Sequence, residues 1–388
     1  MKKKVISFIL SLVFLISISI PAFAQNEQYT YVLVHGLGGW GDNADINNLS
    51  PYWGSTTGNL ADYLKTQNYN VYEATVGPFS SSWDRACELY AQLTGTTVDY
   101  GAAHSKEHQH ERFGKTYSEP AIEWSRKNKV NLIGHSFGGA TIRLLAHLME
   151  YGAPEEIAIT EAQTSELFTG GKGNYIHSVT TLCSPHNGST VYDILDKFPH
   201  LIDILLGSVS ILDTYANIPR LESVYDIGLK QFNPENFVLG IDNAGYELSP
   251  KGANELNKKI KTVDSIYYFS FASSTTVKHK KNQIPTKNTL SLLILPATLM
   301  GSYNHPVLCK ENDGLVNVNS ALYPFTDNYI NYDGINFIPG IWTVMPMLRG
   351  HHGTIIGMDN NTQEVHEFYS NHFKLIDELQ QIHRREII

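Results

Sequence analysis

Short apolar runs alternate with segments of helical hydrophobic spacing along most of the chain. Five runs rich in β-branched and aromatic residues predict strands at residues 29–34, 70–76, 130–134, 176–183 and 266–271. Apolar residues spaced three and four apart predict helices at 59–67, 84–93 and 119–126, from residue 137 onward, and at 250–260 and 363–384. This alternation is typical of an α/β protein whose mostly parallel central sheet is covered by helices on both faces.

The first 24 residues have the pattern of a secretory signal peptide. The lysines Lys2 to Lys4 precede an apolar run at 5–20, and Ala22-Phe23-Ala24 follows as a small-x-small cleavage signal. A membrane anchor is the alternative, although the run is near the lower length limit for spanning a bilayer. We therefore predict a secreted, extracellular protein with a signal peptide at 1–24, a single domain at 25–388 and no transmembrane span in the mature chain.

The composition excludes several classes of protein. Of the 388 residues, 42% are hydrophobic, 11% aromatic and 17% charged, and the formal net charge is -9. Because disordered chains have few aromatic residues, and nucleic-acid-binding domains are usually basic, neither class fits. Three cysteines cannot form a dense disulfide framework. We expect Cys87, Cys183 and Cys309 to be small buried hydrophobic residues, with one adventitious disulfide as the alternative.

A G-x-S-x-G motif is the strongest local signal of chemistry. The sequence G-H-S-F-G at 134–138 lies between a predicted strand and a predicted helix. A sharp strand-to-helix turn of this kind lifts its serine above the sheet, and the helix N-terminus faces the negative charge that develops during acyl transfer. Ser136 is therefore the candidate nucleophile, and an ordinary loop between a strand and a helix is the alternative.

A serine nucleophile requires a base and an acid, which follow it in the order acid, then histidine, in folds of this type. The turn E-N-D-G at 311–314 offers Asp313, and the loop R-G-H-H-G at 349–353 offers His351 and His352. The residues alone leave the choice of histidine open, and each segment taken singly is more often a surface loop. The glycine loop H-G-L-G-G-W at 35–40 can turn backbone N–H groups toward an oxyanion, so we assign the two donors to Leu37 and Phe137. A plain glycine turn is the alternative for that loop.

Three further segments resemble the true lipases of Gram-positive bacteria, which comprise the thermoalkalophilic bacillary and the staphylococcal lipases with clostridial-type polyesterase relatives. The segments are S-W-D-R-A-C-E-L-Y-A-Q-L at 82–93, T-V-D-Y-G-A-A-H at 97–104 and H-E-R-F-G-K-T-Y at 110–117. The resemblance covers nearly all of the mature chain. It implies an α/β-hydrolase fold with a zinc-binding insertion at about 78–117 and 240–250. It also implies the triad Ser136, Asp313 and His352, because I-G-M-D at 356–359 sets the register of the histidine.

The same resemblance implies a structural zinc ion. Its ligands would be Asp84, His104, His110 and Glu247, where Glu247 stands at the position of an aspartate in the family. Four protein ligands leave no open coordination position for a catalytic water, so the metal would be structural.

A family calcium site is matched less well. Asp359 corresponds to one acidic ligand, but Thr354 and Asn360 stand where the family has a glutamate and a proline. Because calcium favours several carboxylate oxygens, calcium is expected to be weak or absent here.

The lid and the substrate are the last expectations. Residues 193–214 carry a wide apolar helical face, which suits a lid within about 190–235, with a permanently buried helix as the alternative. The resemblance implies a triacylglycerol lipase that acts on lipid or ester substrates at a lipid–water interface, as a monomer or weak oligomer. A short-chain carboxylesterase or polyesterase is the closest alternative. A zinc-dependent hydrolase and a non-catalytic binding protein are the alternatives from other classes.

Overall fold

A computed structural model of the protein describes residues 29–42, 44–160, 163–197 and 240–386. The predicted signal peptide at 1–24 lies outside the described residues, and so does the predicted lid beyond Lys197. None of the helices in the described ranges is long and apolar enough to cross a lipid bilayer.

A seven-stranded sheet forms the centre of the described structure. Its strands are β1 (Thr30–Val34), β2 (Val71–Ala74), β5 (Val130–His135), β6 (Ile176–Leu182), β7 (Tyr267–Phe271), β11 (Tyr329–Asn331) and β12 (Trp342–Val344). Their order across the sheet is β11-β12-β7-β6-β5-β1-β2, and every pairing is parallel. The smaller pairs are β3 (Thr97–Asp99) with β4 (Phe113–Thr116), β8 (Ser273–Ser274) with β13 (Leu348–Arg349), and β9 (Thr276–His279) with β10 (Asn282–Pro285).

Helices surround the sheet. They are α1 (Leu60–Thr66), α2 (Ser82–Thr94), α3 (Ala102–His108), α4 (Gly138–Tyr151), α5 (Pro154–Thr160), α6 (Thr190–Lys197), α7 (Ala244–Leu248), α8 (Pro250–Lys259), α9 (Ile294–Ser302), α10 (Val318–Leu322) and α11 (Thr362–Glu386). Capping side chains define several starts, as where the Ser81 hydroxyl accepts from the Asp84 N–H at the start of α2.

The core lies on both faces of the sheet, as the apolar runs predicted. Successive side chains of a strand point to opposite faces, and β1 shows the consequence. Its Tyr31 and Leu33 belong to an apolar cluster with α1 and α11, whereas Val32 and Val34 belong to a second cluster with α2 and α4. All five predicted strands are present in the central sheet, with boundaries that differ by at most two residues.

The predicted helix at 119–126 is wrong, because the chain forms bends and irregular backbone there. Eight residues make a marginal helix, so contacts with the rest of the protein decide the local conformation. The Ala121 N–H donates to the Gln92 carbonyl at 3.0 Å, and Trp124 Nε1 donates to the Tyr175 carbonyl at 2.9 Å. These bonds hold the segment against Gln92 and Tyr175 in a non-helical path.

The cysteines form no disulfide within the described residues. Cys87 and Cys183 are buried, Cys309 is half-buried, and all three thiols are free. This agrees with the prediction that they serve as small hydrophobic residues.

Candidate active site and metal-binding group

The turn between β5 and α4 holds Ser136 in a strained conformation. Ser136 has φ of 54°, in the left-handed region, and its N–H donates to the Leu182 carbonyl at 2.8 Å. A Cβ on Gly134 would lie 2.5 Å from the Gly138 backbone, and one on Gly138 would lie 2.2 Å from the Val34 carbonyl oxygen. Only glycine fits at both positions, so the motif builds the tight turn that presents Ser136 at the carboxyl edge of the sheet.

Asp313 and His352 come together at the same edge of the sheet. His352 Nδ1 lies 2.8 Å from Asp313 Oδ2, and both side chains are buried. The other carboxylate oxygen, Oδ1, accepts the N–H groups of Leu315 at 2.9 Å and Val316 at 2.7 Å. The His352 N–H also donates to the Asp313 carbonyl at 2.8 Å. This turn fixes the carboxylate, which in turn orients the imidazole.

The loop at 349–353, here called the base loop because it carries the candidate base His352, contacts the turn of Ser136 through His135. The sequence patterns did not single out His135. His135 Nε2 donates to the His352 carbonyl at 3.0 Å, and the two imidazole ring centres are 4.8 Å apart. The described hydrogen bonds do not include one from Ser136 Oγ to His352. Such bonds are often long in a free enzyme and shorten with substrate.

Tyr52 links His135 to the glycine loop. Its hydroxyl accepts the Gly36 N–H at 2.9 Å and donates to His135 Nδ1 at 2.6 Å. Burial and the neighbouring His352 hold the pKa of His135 well below its usual value. Because His135 is therefore neutral, it can accept at Nδ1 while it donates at Nε2. A chain of hydrogen bonds thus runs from the glycine loop through Tyr52 and His135 to the base loop, and sequence spacing carries no signal for it.

The predicted oxyanion donors have free N–H groups. Among the described residues, neither the Leu37 N–H nor the Phe137 N–H has a hydrogen-bond partner. A Cβ on Gly36 would lie 2.7 Å from Ser136 Cβ, so the glycine loop lies directly against Ser136. Two unpaired N–H groups beside a serine can bind a developing oxyanion.

Cys183 lies beside the acid and the base. Its sulfur, a carboxylate oxygen of Asp313 and a ring nitrogen of His352 lie within 4.8 Å of one another. Burial raises the pKa of the Cys183 thiol well above its usual value, and Asp313 adds to the effect. A protonated thiol is a poor nucleophile and a poor metal ligand, so Ser136 remains the only nucleophile indicated among these described residues.

Asp359, the predicted calcium ligand, is occupied by hydrogen bonds within the protein. His351 Nε2 lies 2.7 Å from Asp359 Oδ1, and the Thr354 hydroxyl donates to Asp359 Oδ2 at 2.6 Å. His351 thus faces Asp359, whereas His352 faces Asp313. The two adjacent histidines therefore have different partners, and His352 is the one paired with the candidate acid Asp313.

Four side chains form a group that could hold a metal ion. Asp84, His104 and His110 come together as expected, and the fourth member is Asp242. The Asp84 Oδ1 and Asp242 Oδ1 atoms lie 3.2 and 3.5 Å from His104 Nε2. From His110 Nε2, Asp84 Oδ1 lies at 3.9 Å and Asp242 Oδ2 at 3.5 Å. Tetrahedral zinc with bonds near 2.1 Å places its ligands about 3.4 Å apart, which these distances resemble.

Unpaired polar atoms also fit a metal. Asp84 Oδ2 and His110 Nε2 are buried and have no hydrogen-bond partner within the described part of the chain. Buried polar atoms are otherwise paired with few exceptions, and a bound cation explains such an exception.

The structure corrects the prediction that Glu247 completes this group. Glu247 Oε2 accepts the N–H of Ser82 at 2.8 Å, so its carboxylate caps the first turn of α2 from a distant part of the chain. Asp242 lies five residues earlier, in the bend before α7, and reaches both histidines. Glu247 was expected as the ligand because it stands directly before L-S, at the position of the family's aspartate. The bend before α7 instead brings Asp242 to the two histidines, and the path of such a bend depends on tertiary packing.

Comparisons with known proteins give a consistent picture. Residues 27–386 match the family described as "Lipase-like, C-terminal domain". Lipase 2 of Staphylococcus aureus is 36% identical to this chain over 355 residues, which cover 86% of this chain and 51% of that protein. The lipase of Staphylococcus epidermidis is 34% identical over 365 residues, which cover 87% of this chain and 52% of that protein. The chain therefore spans about half the length of these relatives.

Solved structures of the same kind share the fold. The crystal structure of Staphylococcus hyicus lipase matches with a TM-score of 0.79 and 31% identity, over 93% of this chain and 98% of that one. The structure of EstA from Clostridium botulinum matches with a TM-score of 0.79 and 34% identity, over 90% of this chain and 87% of that one. The prediction of an α/β-hydrolase fold with a mostly parallel sheet is thereby confirmed.

Proposed function

We propose that this chain, which belongs to the lipase family that these comparisons identify, is a secreted triacylglycerol lipase that cleaves the esters of acylglycerols through an acyl-enzyme. One observation carries the proposal: a buried Asp313–His352 pair contacts, through His135, the left-handed turn of Ser136. Support for secretion comes from the signal-peptide pattern at 1–24.

The reaction follows from the positions of the side chains. His352 Nε2 accepts the proton of Ser136 as its oxygen attacks the ester carbonyl, and the Asp313 carboxylate stabilises the imidazolium. The N–H groups of Leu37 and Phe137 stabilise the tetrahedral oxyanion, each by about 3 kcal/mol. His352 then protonates the departing alcohol. A water molecule, deprotonated by His352, attacks the acyl-enzyme and releases the fatty acid.

We assign residues 25–388 to one lipase domain with two specialised parts. The metal-bearing insertion comprises about 78–117 and 240–250, and the lid comprises about 190–235. The start of that lid is described: α6 places Val191 and Ile194 in a buried apolar cluster with Met300 of α9. A wide apolar helical face in the remaining sequence supports contact with a lipid–water interface.

The substrate class is tested by comparing tributyrin, below and above its solubility limit, with emulsified triolein. For a lipase we expect fatty-acid release from both, with a rate that rises once an emulsion forms. Hydrolysis of soluble tributyrin alone would favour the short-chain carboxylesterase or polyesterase. No release from either ester would contradict the proposed function.

We propose that the metal group binds one structural zinc ion through Asp84, His104, His110 and Asp242. The supporting observations are the spacing of their ligand atoms and the unpaired Asp84 Oδ2 and His110 Nε2. Zinc bound by four side chains supplies rigidity between α2, α3 and the bend before α7 rather than reactive water. Calcium at Asp359 is expected to be weak or absent, because His351 and Thr354 already contact both of its carboxylate oxygens.

Two variants separate the candidate fourth ligands. Asp242→Asn should lower zinc content, measured by atomic absorption, from one ion per chain toward zero, and should lower the melting temperature. A metal present at 1,000 times its dissociation constant stabilises a protein by about 4 kcal/mol, so a shift of several degrees is expected. Glu247→Gln is the matched control and should keep its zinc. Loss of zinc in Glu247→Gln but not in Asp242→Asn would instead identify Glu247 as the fourth ligand.

Chelation distinguishes a structural metal from a catalytic one. When a chelator is added at low temperature, the initial rate of ester hydrolysis should be unchanged, whereas the melting temperature should fall. Immediate loss of the rate would instead support the zinc-dependent hydrolase.

A further inference from the structure

Arg85 lies fully buried in the first turn of α2, in contact with the glycine loop. Its guanidinium donates to three backbone carbonyls. Nη2 donates to the His35 carbonyl, and Nη1 donates to the carbonyls of Gly36 at 3.3 Å and Gly77 at 3.2 Å. An arginine presents several N–H donors in a rigid planar fork, so one side chain can hold several carbonyls in place at once.

The held carbonyls determine where the neighbouring N–H groups point. In a trans peptide the C=O and the following N–H point in opposite directions, and the described chain contains no cis peptide. The His35 carbonyl points at Arg85, and the Gly36 N–H accordingly points away, to the Tyr52 hydroxyl at 2.9 Å. By the same geometry, the Gly36 carbonyl on Arg85 turns the Leu37 N–H away from the guanidinium.

Arg85 also contacts the other half of the candidate oxyanion site. Its Cζ lies 5.1 Å from the centre of the Phe137 ring, and its Nε donates to the Thr141 hydroxyl at 2.9 Å. That hydroxyl donates to the Phe137 carbonyl at 3.4 Å. One buried side chain therefore connects the two backbone segments that supply the Leu37 and Phe137 donors.

We propose that Arg85 is the positioning residue of the oxyanion hole and sets the distance and direction between its two donors. This inference rests on the proposed function. It adds a residue that touches neither the substrate nor the triad. Burial and Arg85 lower the pKa of His35 to about 3, so its ring is neutral. Because His35 Nε2 accepts the Val76 N–H at 3.2 Å, its proton is on Nδ1, which also donates to the Gly36 carbonyl, at 2.8 Å. Loss of Arg85 therefore loosens the loop without freeing it completely.

The test compares two buried arginines. Arg85→Lys keeps the charge but cannot reach three carbonyls and Thr141 together, so kcat should fall on the order of 10²-fold with KM within threefold of the wild type. Arg143→Lys is the matched control, because Arg143 is buried on α4 but bonds Asn257 and His186 instead. Its kcat should stay within threefold. Rates are expressed per active site, counted by titration to completion with diethyl p-nitrophenyl phosphate.

The inhibition constant of a transition-state analogue distinguishes a positioning role of Arg85 from a purely structural one. The inhibition constant of butylboronic acid, which forms a tetrahedral adduct with serine, should rise by the same factor as kcat/KM falls. Wild-type kcat per active site in Arg85→Lys, with only a lower melting temperature, would overturn the inference.

Two more variants keep the outcomes distinguishable. Should Arg85→Lys fail to fold, Thr141→Val decides, because it removes only the bridge to the Phe137 carbonyl. About a tenfold loss of kcat is then expected, and an unchanged kcat overturns the inference.

Ser136→Ala reports on the proposed function separately. If that variant stays active, the proposed function fails. If it is inactive while both the arginine and threonine variants keep wild-type kcat, only the role of Arg85 fails.

Discussion

Replacement of Ser136 by alanine is expected to lower kcat for p-nitrophenyl butyrate on the order of 10⁶-fold. The variant keeps the proposed oxyanion donors and the Asp313–His352 pair but lacks the oxygen that we propose forms the acyl-enzyme. A residual rate about 10³-fold above the reaction in water should remain, from substrate binding and the oxyanion donors. Burst kinetics at stoichiometric enzyme measure the loss, because the proposed mechanism predicts that the wild type releases one p-nitrophenol per acylated serine.

The fold should not change in this variant. Ser136 Oγ has no hydrogen-bond partner among the described residues, so its removal leaves no buried donor unpaired. The melting temperature should therefore stay within about 2 °C of the wild type. Ser178→Ala is a suitable control, because the Ser178 hydroxyl is buried between β5 and β6 and bonds Asn131 at 2.8 Å. Rapid ester hydrolysis by a folded Ser136→Ala variant would exclude Ser136 as the nucleophile.

Asp313→Asn is expected to lower kcat about 10⁴-fold with little change in KM. The N–H groups of Leu315 and Val316 both point at Oδ1, so the carbonyl oxygen of an asparagine must take that place. Its NH₂ group then faces His352 Nδ1, which must accept a hydrogen bond. The imidazole proton moves to Nε2, where it prevents His352 from accepting the proton of Ser136. The measurement is kcat on p-nitrophenyl butyrate across pH.

A neighbouring acid controls for the loss of charge. Glu311→Gln removes a carboxylate two residues away, which lies 3.4 Å from the largely exposed Arg349. Surface ion pairs contribute little, so kcat should stay within about twofold of the wild type. Equal losses in the two variants would show that charge alone matters and would contradict the tautomer argument.

Adjacent residues of α2 serve two different parts of the molecule. Asp84 faces His104 and His110 in the metal group, whereas Arg85 faces the carbonyls of the glycine loop. Both side chains are fully buried. One helical turn therefore makes two separate sets of contacts, and a substitution at either position acts at a distance from Ser136.

The sequence patterns predicted the features that depend mainly on neighbouring residues, namely the strands and the turn at Ser136. The strands of the central sheet are short apolar runs, and a run buried on both faces has few alternatives to a parallel strand. The turn at Ser136 was predictable because only glycine tolerates the backbone approaches that Gly134 and Gly138 make. The segment at 119–126 was not, because its side-chain spacing is helical but its bonds go to Gln92 and Tyr175.

The sequence by itself determined the class of fold, the nucleophile turn and the residue types available for an acid, a base and a metal. These depend on periodicity, on glycine sterics and on side-chain chemistry, which the chain carries at each position. Only the tertiary structure decided which of these residues meet. It placed Asp242 rather than Glu247 with the two histidines, and it turned His351 and His352 toward different acids. It also brought Tyr52, His135 and Arg85 to the site, because contacts between distant segments depend on how the elements pack and not on their spacing in the chain.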